Sequence, residues 1–326
     1  MWKTKTPDPP NCQKYGVPFY GAAWVPPKIV FDRKQQGDDE VSADGSPQSI
    51  AAQNYLVFAG GGGEGRSGIP NAVAKLVTGA DLPYRMAVHP GGEGLICSLP
   101  KSCGWYEWDE VKSAGVHNLG LKLSKKVLTQ LEDVGIQLAL RFNNDGSTTC
   151  YFDAVQDGNL RVFKWPSMGV ILDEAQAHAT VKDLDFSLDG KFLVSLGSGG
   201  PCRVWDVTSS GVVASLPKEN DEVFGFCRFS QISDESQVLY TTVKRAQGGS
   251  IVTWNTSTWK RMGSKQIVRD AISAFNVSAD GKLLAVGTVQ GDILIINSAS
   301  MRVQTTVRKA HLGPVTALMF SQDSRW

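Results

Sequence analysis

The sequence carries almost no net charge and has no long apolar run. Its 326 residues include 33 lysines and arginines against 32 aspartates and glutamates, a formal charge of +1. That balance excludes a general electrostatic attraction to nucleic acid or to an acidic membrane surface. No stretch of about 18 apolar residues occurs, so we expect no membrane-spanning segment in this chain.

The sequence also lacks the residue clusters typical of metal sites and covalent catalysis. The six cysteines form no Cys-x-x-Cys pair, and the four histidines are widely scattered. A structural zinc site therefore has few ligands, and we expect reduced, mostly buried thiols in a protein that faces the cytosol. Convergent carboxylates and Ser-His or Cys-His arrangements are missing too, which makes covalent or metal-dependent catalysis the weakest functional hypothesis.

No long segment has a helical period, and short strand-like phrases recur instead. Apolar residues alternate in runs such as 192–196 and 283–287, which predicts a nearly all-β protein. Each strand-like phrase ends in a turn, often Asp-Gly. Equivalent positions in six copies lie 43 to 54 residues apart, at Val88, Phe142, Phe186, Phe229, Val277 and Phe320. This period is typical of four-stranded propeller blades.

A second phrase recurs in phase with the first and contains a Trp-Asp strand. It is clearest at residues 200–206, and residues 249–255 are a relative. His178 and His311 stand in the turn before the first phrase, where the imidazole of a WD-repeat blade braces the turn. We therefore expect these histidines to be structural, and we expect Trp205 and Trp254 to fill space between blades.

These units divide the chain into six blades and the start of a seventh. The blades run near residues 19–78, 84–132, 137–176, 181–218, 223–267 and 272–309. We predict an all-β WD-repeat β-propeller over residues 15–326, of the seven-bladed family, with an incomplete seventh blade from residue 315. Residues 1–14 are predicted as a polar N-terminal lead-in, and residues 28–53 as a mobile loop because they are polar and poor in aromatics.

A glycine-rich loop connects the first predicted strands. Six glycines fall within nine positions between residues 60 and 68. So many glycines leave the backbone amides and carbonyls within reach of a ligand, and such loops on rigid scaffolds often bind partners. The loop is therefore interpreted as a recognition loop or, alternatively, as a flexible structural hairpin.

Part of this loop matches a phosphate-binding P-loop superficially. The run from Gly60 to Ser67 has the spacing, with Arg66 in place of the lysine. A P-loop opens a helix, however, and here Gly68, Pro70 and Asn71 occupy the first turn of that helix. The sequence therefore disfavours nucleotide binding by the loop.

The glycine loop, its Ile69-Pro70-Asn71 end and the preceding segment 15–24 resemble a known family within the seven-bladed pattern. The family comprises the endoplasmic-reticulum exchange factors that load the small GTPase Sar with GTP to start COPII coat assembly, and the plant branch is most similar. The resemblance covers essentially the whole chain. It implies a cytosolic propeller that catalyses GDP release, a potassium ion that organises the loop, and a C-terminal membrane anchor.

This chain stops at Trp326, before the anchor of the family pattern, so we expect it to be soluble as given.

Particular loop residues are candidates for these roles. Ile69 is the only large aliphatic residue between Gly60 and Asn71, so we expect it to be exposed and to act as a wedge against the GTPase. Glu64 and Arg66 are candidates for orienting contacts or are simply solvated charges. The GTPase-contacting set is thus Ile69, Asn71, Arg66 and Glu64, and the candidate potassium ligands are Gly61, Gly62, Gly63 and Asn71.

The resemblance implies a guanine nucleotide exchange factor for a Sar-type GTPase at the cytosolic face of the endoplasmic reticulum membrane. Exchange needs no acid, base or nucleophile, since GDP leaves when the switch segments of the GTPase are distorted. The alternative is a non-catalytic trafficking facilitator or scaffold that helps membrane cargo leave the endoplasmic reticulum. The phosphate transporter traffic facilitator of plants is a close relative of that kind. The full glycine loop favours the exchange factor.

Overall fold

The computed structural model describes residues 17–26, 55–62, 69–73, 76–79, 81–113, 116–126, 128, 131, 137–153, 158–179, 181–197, 199–232 and 237–324. These residues contain 24 strands and no α-helix. The strands form six four-stranded antiparallel sheets, in each of which strand order follows chain order. Each sheet is one blade of a β-propeller.

The first three blades contain the strands β1 (Phe19–Trp24), β2 (Leu56–Gly60), β3 (Asn71–Val73), β4 (Leu76–Gly79), β5 (Met86–Val88), β6 (Gly94–Ser98), β7 (Cys103–Ser113), β8 (Val116–Leu123), β9 (Gln137–Phe142), β10 (Thr148–Asp153), β11 (Leu160–Lys164) and β12 (Gly169–Glu174). The other three contain β13 (Val181–Phe186), β14 (Phe192–Gly197), β15 (Cys202–Asp206), β16 (Gly211–Leu216), β17 (Val223–Phe229), β18 (Val238–Arg245), β19 (Gly248–Asn255), β20 (Arg261–Val268), β21 (Ile272–Val277), β22 (Leu283–Thr288), β23 (Ile293–Asn297) and β24 (Val303–Val307).

The hydrophobic core lies between neighbouring blades. Successive residues of a strand point to opposite faces of the sheet, so a radial sheet buries both faces against its neighbours. In β14, Leu193 packs towards the third blade and Val194 towards the fifth. Trp205 and Trp254 are each 1% exposed and fill these layers. Both tryptophans fill space between blades, as expected from the sequence.

The Asp-Gly phrases form tight turns between the first two strands of a blade. In the fourth blade, the Asp189 carboxylate accepts hydrogen bonds from the Ser187 hydroxyl at 2.5 Å and from the Lys191 amide at 3.0 Å. Gly190 has φ +70°, a conformation that glycine adopts without strain. The sixth blade repeats the arrangement with Ser278 and Asp280.

The first strand of each blade lines a central channel, and residues 315–321 complete the ring. Residues 308–324 contain no strand, so the described residues form six blades and no seventh sheet. The segment from Val315 to Ser321, here called the closing segment, lies along the channel between β21 and β1. It takes the place of an inner strand, but no second strand pairs with it in the described part of the chain.

Hydrogen bonds join the closing segment to both neighbouring blades. On one side, the Ser273 hydroxyl donates to the Val315 carbonyl at 2.9 Å. On the other side, the Thr316 hydroxyl donates to the Phe19 carbonyl of β1 at 2.7 Å. Val315 is buried and contacts the sixth blade at Gly287. These contacts connect the last blade to the first.

The described strands agree closely with the blade boundaries expected from the sequence. The predicted lead-in at 1–14 and the predicted mobile loop at 28–53 lie outside the described residues. Five cysteines are described, and all five are buried and free, at Cys97, Cys103, Cys150, Cys202 and Cys227. Burial raises the pKa of these thiols. Among the described residues, no helix is long and apolar enough to cross a membrane.

The two histidines differ in their surroundings. His178 is buried, and its Nε2 lies 2.9 Å from the Ser195 hydroxyl, which also accepts a hydrogen bond from the Trp205 indole. Burial, together with the charge of Arg203, lowers the pKa of His178 to about 4. Its ring is therefore neutral at pH 7 and braces the blade, as expected. The side chain of His311 is instead exposed, and its backbone amide makes the turn contact.

A buried carboxylate stands in the connection before β17. Glu222 is 1% exposed and forms ion pairs with Arg245 and Arg261. Burial opposes its ionisation, but the hydrogen bonds from Arg261 and Arg245 outweigh burial and lower the pKa of Glu222 to about 2. Glu219 contacts the same two arginines, but its side chain is 58% exposed.

Glu222→Gln is expected to lower the free energy of unfolding at pH 7 by about 3 kcal/mol, because it leaves two arginines without their buried partner. The folded pKa lies below the ordinary 4.5. The contribution is therefore complete above pH 4.5 and is lost as the pH falls towards 2. Urea unfolding of both proteins across this range measures the difference.

Glu219→Gln is the matched control, since an exposed ion pair contributes about 1 kcal/mol or less. Equal destabilisation by the two substitutions, or a difference that does not shrink in acid, would contradict the assignment.

Candidate functional site

The base of the glycine-rich loop is formed by three neighbouring strands of the first blade. β2 ends at Gly60, and β3 begins at Asn71 beside it. Phe19, the first residue of β1, pairs with Gly60. The Gly61 amide then donates a hydrogen bond to the Pro18 carbonyl at 3.1 Å. The loop therefore leaves the propeller from a fixed point at the start of the innermost strand.

Close backbone contacts at this base require glycine. A Cβ atom on Gly60 would overlap the Pro18 carbonyl oxygen. A Cβ atom on Gly61 would overlap the Asn71 side-chain oxygen and lie 2.6 Å from the Asn71 Cα atom. Gly61 also has φ +152°, which side-chain-bearing residues rarely adopt. The first two glycines thus have a steric role that is separate from any flexibility of the loop.

Neutral oxygen atoms surround the base. Asn71 is 2% exposed, and its side-chain oxygen lies beside Gly61. The Pro70 carbonyl oxygen lies 2.9 Å from the Cβ position of Gly61, and the Pro18 carbonyl lies next to Gly60. Neutral carbonyl oxygens are the type of ligand that potassium channels use for their ion, and three such oxygens lie at the loop base, those of Pro18, Pro70 and Asn71.

The structure describes only part of the predicted site. Gly61, Gly62, Ile69 and Asn71 are placed at the two ends of the loop, and Asn71 is buried. Ile69 is half-buried rather than fully exposed as expected. The remaining predicted residues lie outside the described part of the chain, namely Gly63, Glu64 and Arg66.

The segment after the loop is a strand, since β3 begins at Asn71. The helix N-terminus that a phosphate-binding P-loop requires is therefore not present there. The predicted return to a strand after the loop is confirmed.

Sequence reasoning missed the residues that brace the base. The aromatic rings of Phe19 and Phe58 pack with centroids 4.4 Å apart, and Phe19 pairs with Gly60 at the loop base. The Phe19 carbonyl also accepts the hydrogen bond from Thr316 of the closing segment. Thr316 is far from the loop in sequence, so only the closure of the ring reveals the contact. The alternation of Phe58 with buried Val57 was the available signal for its packing.

Comparisons with known proteins agree with this architecture and define the family. The family model described as "WD domain, G-beta repeat" matches residues 169–206, the end of the third blade and most of the fourth. SEC12-like protein 2 of Arabidopsis thaliana is 50% identical over 344 residues, which covers 99% of this chain and 86% of that protein. The chain belongs to the SEC12-like family.

Two further relatives show how the SEC12-like chain compares with more distant members. SEC12-like protein 1 of Arabidopsis thaliana is 32% identical over 253 residues, covering 75% of this chain and 62% of that protein. The guanine nucleotide-exchange factor SEC12 of Mus musculus is 26% identical over 230 residues, covering 65% of this chain and 54% of that protein.

Gly61→Ala in this SEC12-like chain is expected to lower the free energy of unfolding by about 2 kcal/mol or more, because it forces a Cβ atom into Asn71 at a strained φ. Gly200→Ala is the control. Gly200 lies in the corresponding connection of the fourth blade, and no heavy atom lies within 4 Å of its Cβ position.

Gly200→Ala is expected to change the free energy of unfolding by about 0.5 kcal/mol or less. Thermal or urea unfolding of both variants checks the steric role, and a neutral Gly61→Ala would exclude it.

Proposed function

We propose that this SEC12-like chain is a guanine nucleotide exchange factor for a Sar-type small GTPase, acting at the cytosolic face of the endoplasmic reticulum in COPII vesicle formation. The observation that carries the proposal is a glycine-rich loop whose base has room only for glycine at Gly60 and Gly61. The relatives of this propeller include proteins named guanine nucleotide-exchange factors. A rigid scaffold that presents a loop in this way is suited to binding a partner.

In the proposed mechanism, binding energy displaces GDP, and no proton transfer or nucleophile is needed. The loop contacts the switch segments of the GTPase, with Ile69 as the apolar anchor and Glu64 and Arg66 as orienting charges. Asn71 acts from its buried position by holding the shape of the loop base. A pre-shaped loop reduces the ordering cost of association, which is about 1–2 kcal/mol for each residue fixed.

A potassium ion is part of the proposal. The backbone carbonyls of Gly61, Gly62 and Gly63 and the side-chain oxygen of Asn71 would hold it. When bound, the ion supplies positive charge that compensates the clustered carbonyl dipoles and favours one loop conformation.

A second candidate function is a non-catalytic trafficking facilitator that assists cargo exit from the endoplasmic reticulum. One observation favours it. The relatives at 50% and 32% identity are named only SEC12-like, whereas the mouse and rat proteins named exchange factors are 26% identical. The fluorescence of a labelled GDP on a purified Sar-type GTPase separates the two functions. Catalytic amounts of the chain accelerate its release only if the chain is an exchange factor.

Ile69→Ala is expected to reduce the catalytic efficiency of GDP release about thirtyfold, which corresponds to about 2 kcal/mol of lost interface energy. The free energy of unfolding is expected to fall by less than the 2–5 kcal/mol or so typical of a core isoleucine, because Ile69 is only half-buried. Stopped-flow exchange and urea unfolding of the same preparation measure both quantities.

Val213→Ala is the matched control, since Val213 is an exposed aliphatic residue on the outermost strand of the fourth blade. It is expected to change neither quantity. Full exchange activity in Ile69→Ala would exclude the wedge, and unfolding of that variant would assign Ile69 to the core.

Exchange is expected to be faster in potassium than in lithium at equal concentration and ionic strength, because a small cation fits a carbonyl cage of this kind poorly. Matching the ionic strength removes general screening from the comparison. Asn71→Ala is expected to abolish the difference between the salts. Equal wild-type rates in both salts would reject a functional cation.

A further inference from the structure

The central channel carries an unbalanced set of charges. It has a volume of about 410 Å³ and is lined by the six innermost strands and the closing segment. Four cationic and two anionic side chains line it, namely Arg85, Arg141, Lys182, Arg228, Asp183 and Asp185. The described lining therefore has an excess of two positive charges.

Two of the cations are neutralised by the carboxylates. Arg141 Nε lies 3.2 Å from Asp185 Oδ1, and Arg228 pairs with Asp183. Each carboxylate also accepts a backbone amide, because Asp185 Oδ2 accepts the Phe229 amide at 2.8 Å and Asp183 Oδ2 accepts the Cys227 amide at 3.1 Å. These pairs connect the third, fourth and fifth blades. They do not involve the other two cations of the lining, Arg85 and Lys182.

Among the described residues, the polar partners of the Arg85 and Lys182 side chains are all carbonyl oxygens. Arg85 donates to the Leu138 and Tyr20 carbonyls, both at 3.1 Å, so its guanidinium spans the inner strands of the two neighbouring blades. Lys182 Nζ donates to the Phe224 carbonyl at 2.9 Å. Neither side chain forms an ion pair within the described part of the chain.

The protein around Lys182 disfavours the positive charge of its ammonium group. Burial, reinforced by nearby Lys244, lowers the pKa of Lys182 below its ordinary value. The buried Nε of Arg228 also has no hydrogen-bond partner among the residues that the structure places. A buried charge or donor without a partner costs free energy that a bound counter-ion recovers.

We propose that the central channel binds a small molecule carrying several phosphate groups, with Arg85 and Lys182 as its charge partners. Guanidinium and ammonium groups that come from the second and fourth blades and line one cavity suit a ligand with two separated anionic groups better than a single ion. A channel of about 410 Å³ lies within the size range of small-molecule sites and exceeds the need of one inorganic phosphate. This site is separate from the glycine-loop base and does not depend on the proposed exchange activity.

Isothermal titration calorimetry with inositol hexakisphosphate is the test, at fixed ionic strength, with inorganic phosphate as the single-group comparison. We expect saturable binding of the polyphosphate that is tighter than binding of phosphate. Arg85→Gln and Lys182→Gln are each expected to weaken it about tenfold, because each removes a charge-assisted hydrogen bond but keeps a donor for the carbonyls.

Lys265→Gln is the control, since Lys265 is an exposed residue of the outer strand β20 and the substitution changes the net charge equally. It is expected to leave the dissociation constant unchanged. Absence of saturable binding to the wild-type chain overturns the proposal. The same dissociation constant in the Arg85→Gln, Lys182→Gln double variant and in Lys265→Gln also overturns it.

A measurement on the unaltered chain covers the case in which the double variant does not fold. Amine acylation followed by mass spectrometry is expected to show protection of Lys182, but not of Lys265, by inositol hexakisphosphate. Equal labelling with and without the ligand would overturn the proposal. Flotation with phosphatidylcholine vesicles, with and without phosphatidylinositol 4-phosphate, distinguishes a lipid headgroup from a free phosphate compound as the source of the ligand.

Discussion

The closure of the ring is the constraint on which the rest of this structure depends. Each sheet is apolar on both faces, so each must be covered by a neighbour on either side. Five core layers lie between the six successive blades, and they cover both faces of the second to fifth blades. Between the last blade and the first, the closing segment supplies the contacts through Val315 and Thr316.

The candidate site lies beside this point of closure. The Thr316 hydroxyl donates a hydrogen bond to the Phe19 carbonyl, and the neighbouring Pro18 carbonyl accepts one from the Gly61 amide. The position of the loop base is thus determined jointly by the first blade and by the closing segment. A loop presented from such a base can be long and glycine-rich while its two ends stay at a fixed separation, which is what recognition of a partner surface requires.

The fold was largely predictable because its signals are local. The Asp189-Gly190 turn and the Trp205 strand repeat with a constant period, and together they locate blade boundaries to within a few residues over most of the chain. The Thr316 contact and the span of Arg85 were not predictable, because they join residues that only the closed ring brings together.

The candidate site was predictable only where its signal is local in sequence. Glycine spacing indicates where a backbone can approach closely, and it correctly drew attention to Gly61. It carries no information about burial, which depends on neighbouring strands. Asn71 is therefore deeper and Ile69 less exposed than a loop of glycines suggests. The pair of arginines around Glu222 was missed because they come from two different strands.

The hydrogen bond between Thr316 and Phe19 spans 297 positions of the chain. Contacts of such long sequence separation form late, since the loop-closure entropy must be met before they contribute. During synthesis, the first blade therefore emerges with one apolar face uncovered and keeps it so until nearly all of this sequence has left the ribosome. Throughout that interval the nascent chain displays an apolar surface of the kind that makes partly folded chains prone to aggregation.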